Sequence, residues 1–379
     1  MSRYSTPAIT MALAAIVAVG AACGAGTESG TTVEAMKSAP SATASVVPVV
    51  AELRLDPLPL PGPGPRVRVE GTDMEAVNAT CERCHAEIAR EWRASLHQGA
   101  YDDPVFLSAY SIEPTPFCFN CHAPERRDAR HLGVACTTCH LQGSEIVGSR
   151  GVGGDAHATR QDARLATVEA CSNCHQFEFP NLAGAFMQST VDEHAASNAR
   201  AQTCQDCHMP EVAAPAGGRP HKSHSFAVQS NPELMRSAIE VKAERAGDRF
   251  VQLTISTTPA IGHSFPTGDL FRRLEVRAEV LGPDGSVAST SNIKHLGRTY
   301  EVRMDPETKT TVRVPRSDSR IPAPGAGEAR HAVVRFPEDV TGRTVRWTVA
   351  YQRMDDGLAR LFGIDPRADE RVVAQGVLP

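Results

Sequence analysis

The chain has 379 residues, 22% of them charged and only 5% aromatic, with a formal net charge of −5. The charge excludes the strong basic face that nucleic-acid binding needs. The length suits two folded domains.

Residues 1–22 carry a lone Arg3, an apolar run over residues 8–19 and then Gly20-Ala21-Ala22, the layout of a secretory signal. The run is too short to predict a bilayer-spanning helix. Gly20-Ala21-Ala22-Cys23-Gly24 resembles a bacterial lipobox, although a large aliphatic residue is usual where Gly20 stands. The expectation is therefore an exported chain, lipidated at Cys23 and held at a bacterial membrane. Ordinary cleavage that leaves Cys23 as a free thiol is the alternative. No twin-arginine pair is present, which suits export of an unfolded chain. Residues 23–72 are rich in Pro, Ser, Thr and Ala and end in the proline-dense stretch 57–65. Such a composition predicts an extended tether with no core of its own.

Residues 73–228 hold one pattern five times: Cys81-Cys84-His85, Cys118-Cys121-His122, Cys136-Cys139-His140, Cys171-Cys174-His175 and Cys204-Cys207-His208. Cys-x-x-Cys-His is the attachment pattern of c-type haem. Two thiols bond to the porphyrin edge, and the adjacent histidine reaches the iron. Ten of the eleven cysteines fall in these motifs. A zinc ribbon does not need a histidine after every pair, and a thioredoxin-like motif would occur once. The prediction is five covalently bound haem c, at roughly thirty residues each, in a domain of short helices and loops whose core is largely porphyrin. A helix is expected over residues 82–97, with Ile88, Trp92 and Leu96 on one face. Thirteen residues separate His122 from Cys136, against 28 to 32 in the other gaps, so haems 2 and 3 are expected to stack closely.

Nine histidines remain after the five proximal ones, enough for bis-histidine ligation throughout. His97, His157, His194, His221 and His224 are the candidate distal ligands. His131 is a weaker candidate. His263 is read as a structural turn residue in preference to the alternative, a haem ligand in a β-domain loop that would lock the two domains together. His295 and His331 are expected to lie exposed.

Residues 229–379 change periodicity. Apolar and polar residues alternate at 239–242, 250–255 and 274–280, and further strands are expected at 332–336, 344–351 and 371–377. Gly282-Pro283-Asp284-Gly285 is a turn signal. These short strands, with no helical run, predict an all-β sandwich. The fold class expected for the whole chain is thus α+β.

Several phrases go beyond the haem motifs: Glu91-Trp92-Arg93-Ala94-Ser95-Leu96-His97, Cys207-His208-Met209-Pro210, His221-Lys222-Ser223-His224-Ser225-Phe226 and Gly262-His263-Ser264-Phe265-Pro266-Thr267-Gly268. On these the chain resembles the multihaem cytochromes c related to the tetrahaem cytochrome c554 family, from about residue 73 to the end. The resemblance implies that His97 and His224 are distal ligands, that the haems pack in stacked and T-shaped pairs, and that a C-terminal β-domain opens near residues 262–268. Five motifs instead of four is a departure, so the family's haem order does not carry over. The functional expectation is an electron-transfer cytochrome, served by redox partner proteins or a quinol-linked donor. The alternative is an oxidoreductase with one open-site haem acting on nitrite or hydroxylamine. No Cys-x-x-Cys-Lys variant, the mark of nitrite-reducing relatives, is present.

Overall fold

The structure is a computed structural model. It describes residues 71–379 except 113, 126, 152–155, 180–181, 214–218, 227 and 305–310. The leader, Cys23 and nearly all of the expected tether lie outside the described residues.

Every Cys-x-x-Cys-His motif sits at the end of a short helix. The helices of the N-terminal part are α1 (Met74–Cys84), α2 (Ala86–Arg93), α3 (Pro104–Ile112), α4 (Phe119–His122), α5 (Cys136–His140), α6 (Glu169–His175), α7 (Thr190–Ala195) and α8 (Cys204–His208). One helical turn brings the two cysteines of a motif onto one face, at i and i+3. Local capping starts several of these helices. Asp73 Oδ1 accepts from Ala76 N–H at 3.0 Å, and Thr203 N–H donates to Asp206 Oδ2 at 2.8 Å.

The helix expected over residues 82–97 is broken. His85 caps α1 with φ −108° and ψ 49°, and α2 ends at Arg93. The motif histidine leaves helical geometry, and because α2 stops at Arg93 the repeat that would align Ile88, Trp92 and Leu96 lapses at its far end. Trp92 is buried and donates its indole N–H to Val134 O at 2.8 Å, whereas Leu96 is 44% exposed. Between the helices run β1 (Leu141–Gln142), β2 (Glu145–Gly148), β3 (Arg160–Gln161), β4 (Gln176–Phe179), β5 (Leu182–Ser189), β6 (Glu211–Val212) and β7 (His221–Lys222). They pair only locally, in one three-stranded and two two-stranded sheets.

Helix α9 (Pro232–Ser237) leads into β8 (Ile239–Arg245), β9 (Phe250–Thr257), β10 (Arg273–Leu281), β11 (Val287–Thr290), β12 (Lys294–Met304), β13 (Thr311–Asp318), β14 (Arg330–Arg335), β15 (Val345–Gln352) and β16 (Arg371–Leu378), with α10 (Asp356–Leu361) before the last strand. One sheet has the order β13-β12-β10-β15-β16 with β11 beside β10, and the other the order β14-β9-β8. Their inward residues, among them Leu253, Ile255, Leu274, Val276, Val334 and Phe336, form one buried core. The fold class is α+β. The six expected strands are present, and the turn at 282–285 holds, with Gly285 at φ 78°. Three strands (β11 to β13) and two helices (α9 and α10) of this part exceed the expectation.

The apolar cores are unequal. The largest cluster of the helical part contains Met74, Trp92, Ala129, Leu132 and Ala135, far smaller than the core between the sheets. Eight short helices with so few buried apolar side chains need another source of buried surface.

All described residues belong to one compact unit. Arg353 pairs with Asp103 at 2.7 Å, Asn198 N–H donates to Pro324 O at 2.8 Å, and Arg298 donates to Met187 O at 2.9 Å. These bonds fasten the helical part to the sheets.

The outer face of β10 buries a charge. Glu275 is fully buried and meets Arg277 at 2.6 Å, Arg367 at 3.0 Å and Gln352 Nε2 at 3.1 Å. Burial acts to raise its pKa, but hydrogen bonds from His295, Arg367 and Arg277 win, and the carboxyl is held well below its usual range. Its contribution to stability is therefore complete above its unfolded pKa of 4.5 and falls away as the pH drops below that. Glu275→Gln is expected to cost about 2 kcal/mol at pH 7 in chemical denaturation, and to flatten the acid limb of the stability profile. Equal stability of variant and parent at pH 7 would show that the buried charge contributes nothing.

Candidate haem sites

Two imidazoles that share one iron place their ring centres about 6 Å apart, from two metal–nitrogen bonds of about 2 Å and a further ~1 Å to each ring centre. Four histidine pairs have this spacing. His85 faces His157 at 6.2 Å, His97 faces His175 at 6.4 Å, His140 faces His224 at 6.1 Å and His208 faces His263 at 6.2 Å. Each pair joins a motif histidine to one from a distant stretch of chain. Three are tilted by 39° to 55°, and the His208–His263 planes are within 9° of parallel.

Ring orientation follows from the second nitrogen. His140 Nδ1 lies 2.9 Å from Val147 O, His224 Nδ1 2.7 Å from Lys222 O, His122 Nδ1 2.7 Å from Ala100 O and His263 Nδ1 3.0 Å from Ser264 O. An N–H given to a carbonyl leaves Nε2 as the free lone pair, the tautomer a metal ligand requires. Burial favours the same neutral state. It pushes the pKa of His97 down to about 3, and those of His175, His224 and His263 to about 4. The donor sets thus fit iron at four of the five motifs.

His122 is the exception. Its ring is stacked on Phe106 at 3.8 Å and 10°, and among the described residues no histidine ring faces it at the one-metal spacing. This departs from the expectation of two histidines for every iron.

Two of the five expected distal histidines are placed otherwise. His221 Nε2 is 3.1 Å from Glu91 Oε1, so the nitrogen that would meet iron is engaged with a carboxylate. His194 lies against Gly262, where an added Cβ would come within 3.0 Å of its ring. Neither faces a motif histidine. His97, His157 and His224 do, and so does His263, which the sequence reading placed in a structural turn. His131 lies 3.7 Å from Glu75 and is half exposed.

The motif thiols show which sites adjoin. The Cys121 thiol is hydrogen-bonded to Cys174, which lowers its pKa. The Cys171 thiol is held far above its usual range by its hydrogen bond to Cys204, then by burial, with Cys139 adding to the rise. Cys204 falls correspondingly, to about 7. Burial raises Cys136 to about 12, helped by neighbouring Cys81, and Cys136 N–H donates to Asn78 Oδ1 of α1 at 3.0 Å. Motif 1 therefore adjoins motif 3, motif 3 adjoins motif 4, and motif 4 touches both 5 and 2. The turn that precedes α4 of motif 2 leans on β4, with Phe117 and Phe177 at 5.6 Å.

Residues that sequence reasoning did not single out complete the sites. Phe226 takes φ 44°, a strained value for a side chain this bulky, and lies edge-on to His97 at 4.2 Å and near His224 at 5.9 Å. Glu91 holds the ligand-bearing segment with both oxygens, one at His221 and the other accepting from His224 N–H at 2.7 Å. Its place in the phrase shared with His97 was the available signal.

No family model matches the chain, and no curated protein matches it. Among solved structures it is similar to a penta-heme cytochrome c552 from Thermochromatium tepidum. The TM-score is 0.59 with 21% identity, covering 79% of this chain and 97% of that one. At that identity the likeness establishes a shared fold.

Glu91→Ala is expected to destabilise the protein by about 1–3 kcal/mol, because a part-buried carboxylate with two partners is lost. Equilibrium denaturation reads this directly. A loss near zero would mean that segment 221–224 is held by other contacts.

Proposed function

We propose that the chain is an exported pentahaem c-type cytochrome, related to the cytochrome c554 family, that carries electrons along a row of closely spaced haems. The observation that carries this reading is the set of histidine pairs at one-iron spacing beside Cys-x-x-Cys-His motifs. In it, the ten motif cysteines bind five haem c covalently. His85, His122, His140, His175 and His208 are proximal ligands, and His157, His224 and His97 are the distal ligands of haems 1, 3 and 4. Two neutral imidazoles favour the oxidised iron more than a histidine–methionine pair does, so the potentials are low. The adjacent motifs form the path 1–3–4–5, with haem 2 branching from 4. The protein sets ligation, burial and spacing along that path.

The leader and Cys23 support export and a lipid anchor on a bacterial membrane. No helix among the described residues is long and apolar enough to cross a membrane. The partners of this reading are redox proteins or a quinol-linked donor on one side and an outer acceptor on the other.

His122 bears on the oxidoreductase alternative, since a haem held there would have only one histidine ligand among the described residues. Phe106 packs its flank with an apolar ring and offers no proton donor or acceptor. Electron transfer remains the favoured reading because the other four motif histidines each face a second imidazole.

Intact mass is expected to exceed that of the mature chain by five haem masses, and a smaller excess would show a vacant motif. His97→Ala, His157→Ala and His224→Ala are each expected to convert one low-spin haem to high-spin, while His221→Ala converts none. The reverse pattern would overturn the assignments. Rapid turnover of nitrite or hydroxylamine by the wild-type protein would replace the carrier with an enzyme.

A further inference from the structure

We infer that the β-sandwich itself supplies an iron ligand: His263, in the loop between β9 and β10, is the distal partner of His208 at the fifth haem. The inference rests on the reading of the motifs as haem sites and adds a ligand from outside the helical part.

The rings of His208 and His263 stand 6.2 Å apart and 9° from parallel, the most nearly parallel of the four pairs. His263 gives Nδ1 to Ser264 O at 3.0 Å, which leaves Nε2 for a metal. The surrounding loop is fixed from both sides. Glu193 of α7 accepts from Thr267 Oγ1 at 2.6 Å and from Ser264 N–H at 3.3 Å. The same carboxylate pairs at 2.7 Å with the buried Arg320, which also donates to Pro266 O at 3.3 Å. Phe265 and Ile321 exchange two backbone hydrogen bonds, at 2.8 and 2.9 Å. Gly262 lets the loop approach the helical part, since a Cβ there would stand 3.0 Å from His194 and 3.4 Å from Ala199. A turn histidine kept only for local structure would not need this much fastening across two parts of the fold.

The consequence is mechanical as well as electronic. The sandwich cannot swing away from the helical part without vacating an iron. Anything that displaces its loop would turn haem 5 from a six-coordinate carrier into a five-coordinate site.

The test uses the full-length holoprotein. His263→Ala is expected to keep five haems by intact mass, to convert one additional haem from low-spin to high-spin in the resting electron paramagnetic resonance spectrum, and to bind carbon monoxide at one haem more than wild type when reduced. Added imidazole should restore the low-spin signal. His263→Met, which preserves a ligand and the packing, should keep that haem low-spin and raise one midpoint potential. It also serves if the alanine variant does not accumulate. An unchanged low-spin count in His263→Ala, or conversion by His194→Ala instead, would overturn the inference. A wild-type mass below five haems would instead count against the pentahaem reading.

Discussion

The helical part is organised by one constraint: histidines far apart in sequence must meet with ring centres about 6 Å apart, neutral and with the correct nitrogen free. Few buried apolar side chains are available to enforce it. The cluster around Trp92 is small, and helices of four to eleven residues are not stable alone. Specific polar contacts supply the positioning instead. Carbonyls of Ala100, Val147, Lys222 and Ser264 orient the rings, and Glu91 and Glu193 hold the segments that carry His224 and His263. The strained backbone at Phe226, wedged by the rings of His97 and His224, belongs to the same arrangement.

The sheets have the opposite economy. Their core is apolar and continuous, and ionic groups such as Glu275 are buried on the outer face among arginines. A rigid body of that kind is a suitable base for loops that must be held accurately. Bonds from Arg353, Arg298 and Arg320 carry that rigidity into the helical part. The division of labour follows: the helices bring the covalent attachment points, while the sheets hold much of the surrounding geometry.

What was legible in the sequence follows the range of the chemistry. Haem attachment needs two thiols and an imidazole at fixed local spacing, so all five motifs could be read directly. Distal ligation has no local rule. His97, His157 and His224 were candidates because they lie among the motifs, and each faces a motif histidine. His263 also faces one but was weighed as a ligand and slightly disfavoured because it lies beyond the motifs, and His194 and His221 had suitable positions but face other partners. Alternation exposed β8, β9 and β10, and apolar-rich runs marked β14, β15 and β16. Strand β12 was missed because its second half is largely exposed and its burial does not alternate. The break at His85 was invisible to periodicity, since it is imposed by the motif and not by the apolar pattern around it.

The pairing of histidines makes one quantitative demand on the intact protein: four irons with two imidazoles each, and one, at His122, with a single imidazole. Spin quantitation by electron paramagnetic resonance of the oxidised holoprotein measures this most directly. The account predicts low-spin and high-spin ferric haem in a ratio of about four to one. Five low-spin haems, or two or more high-spin ones, would contradict it.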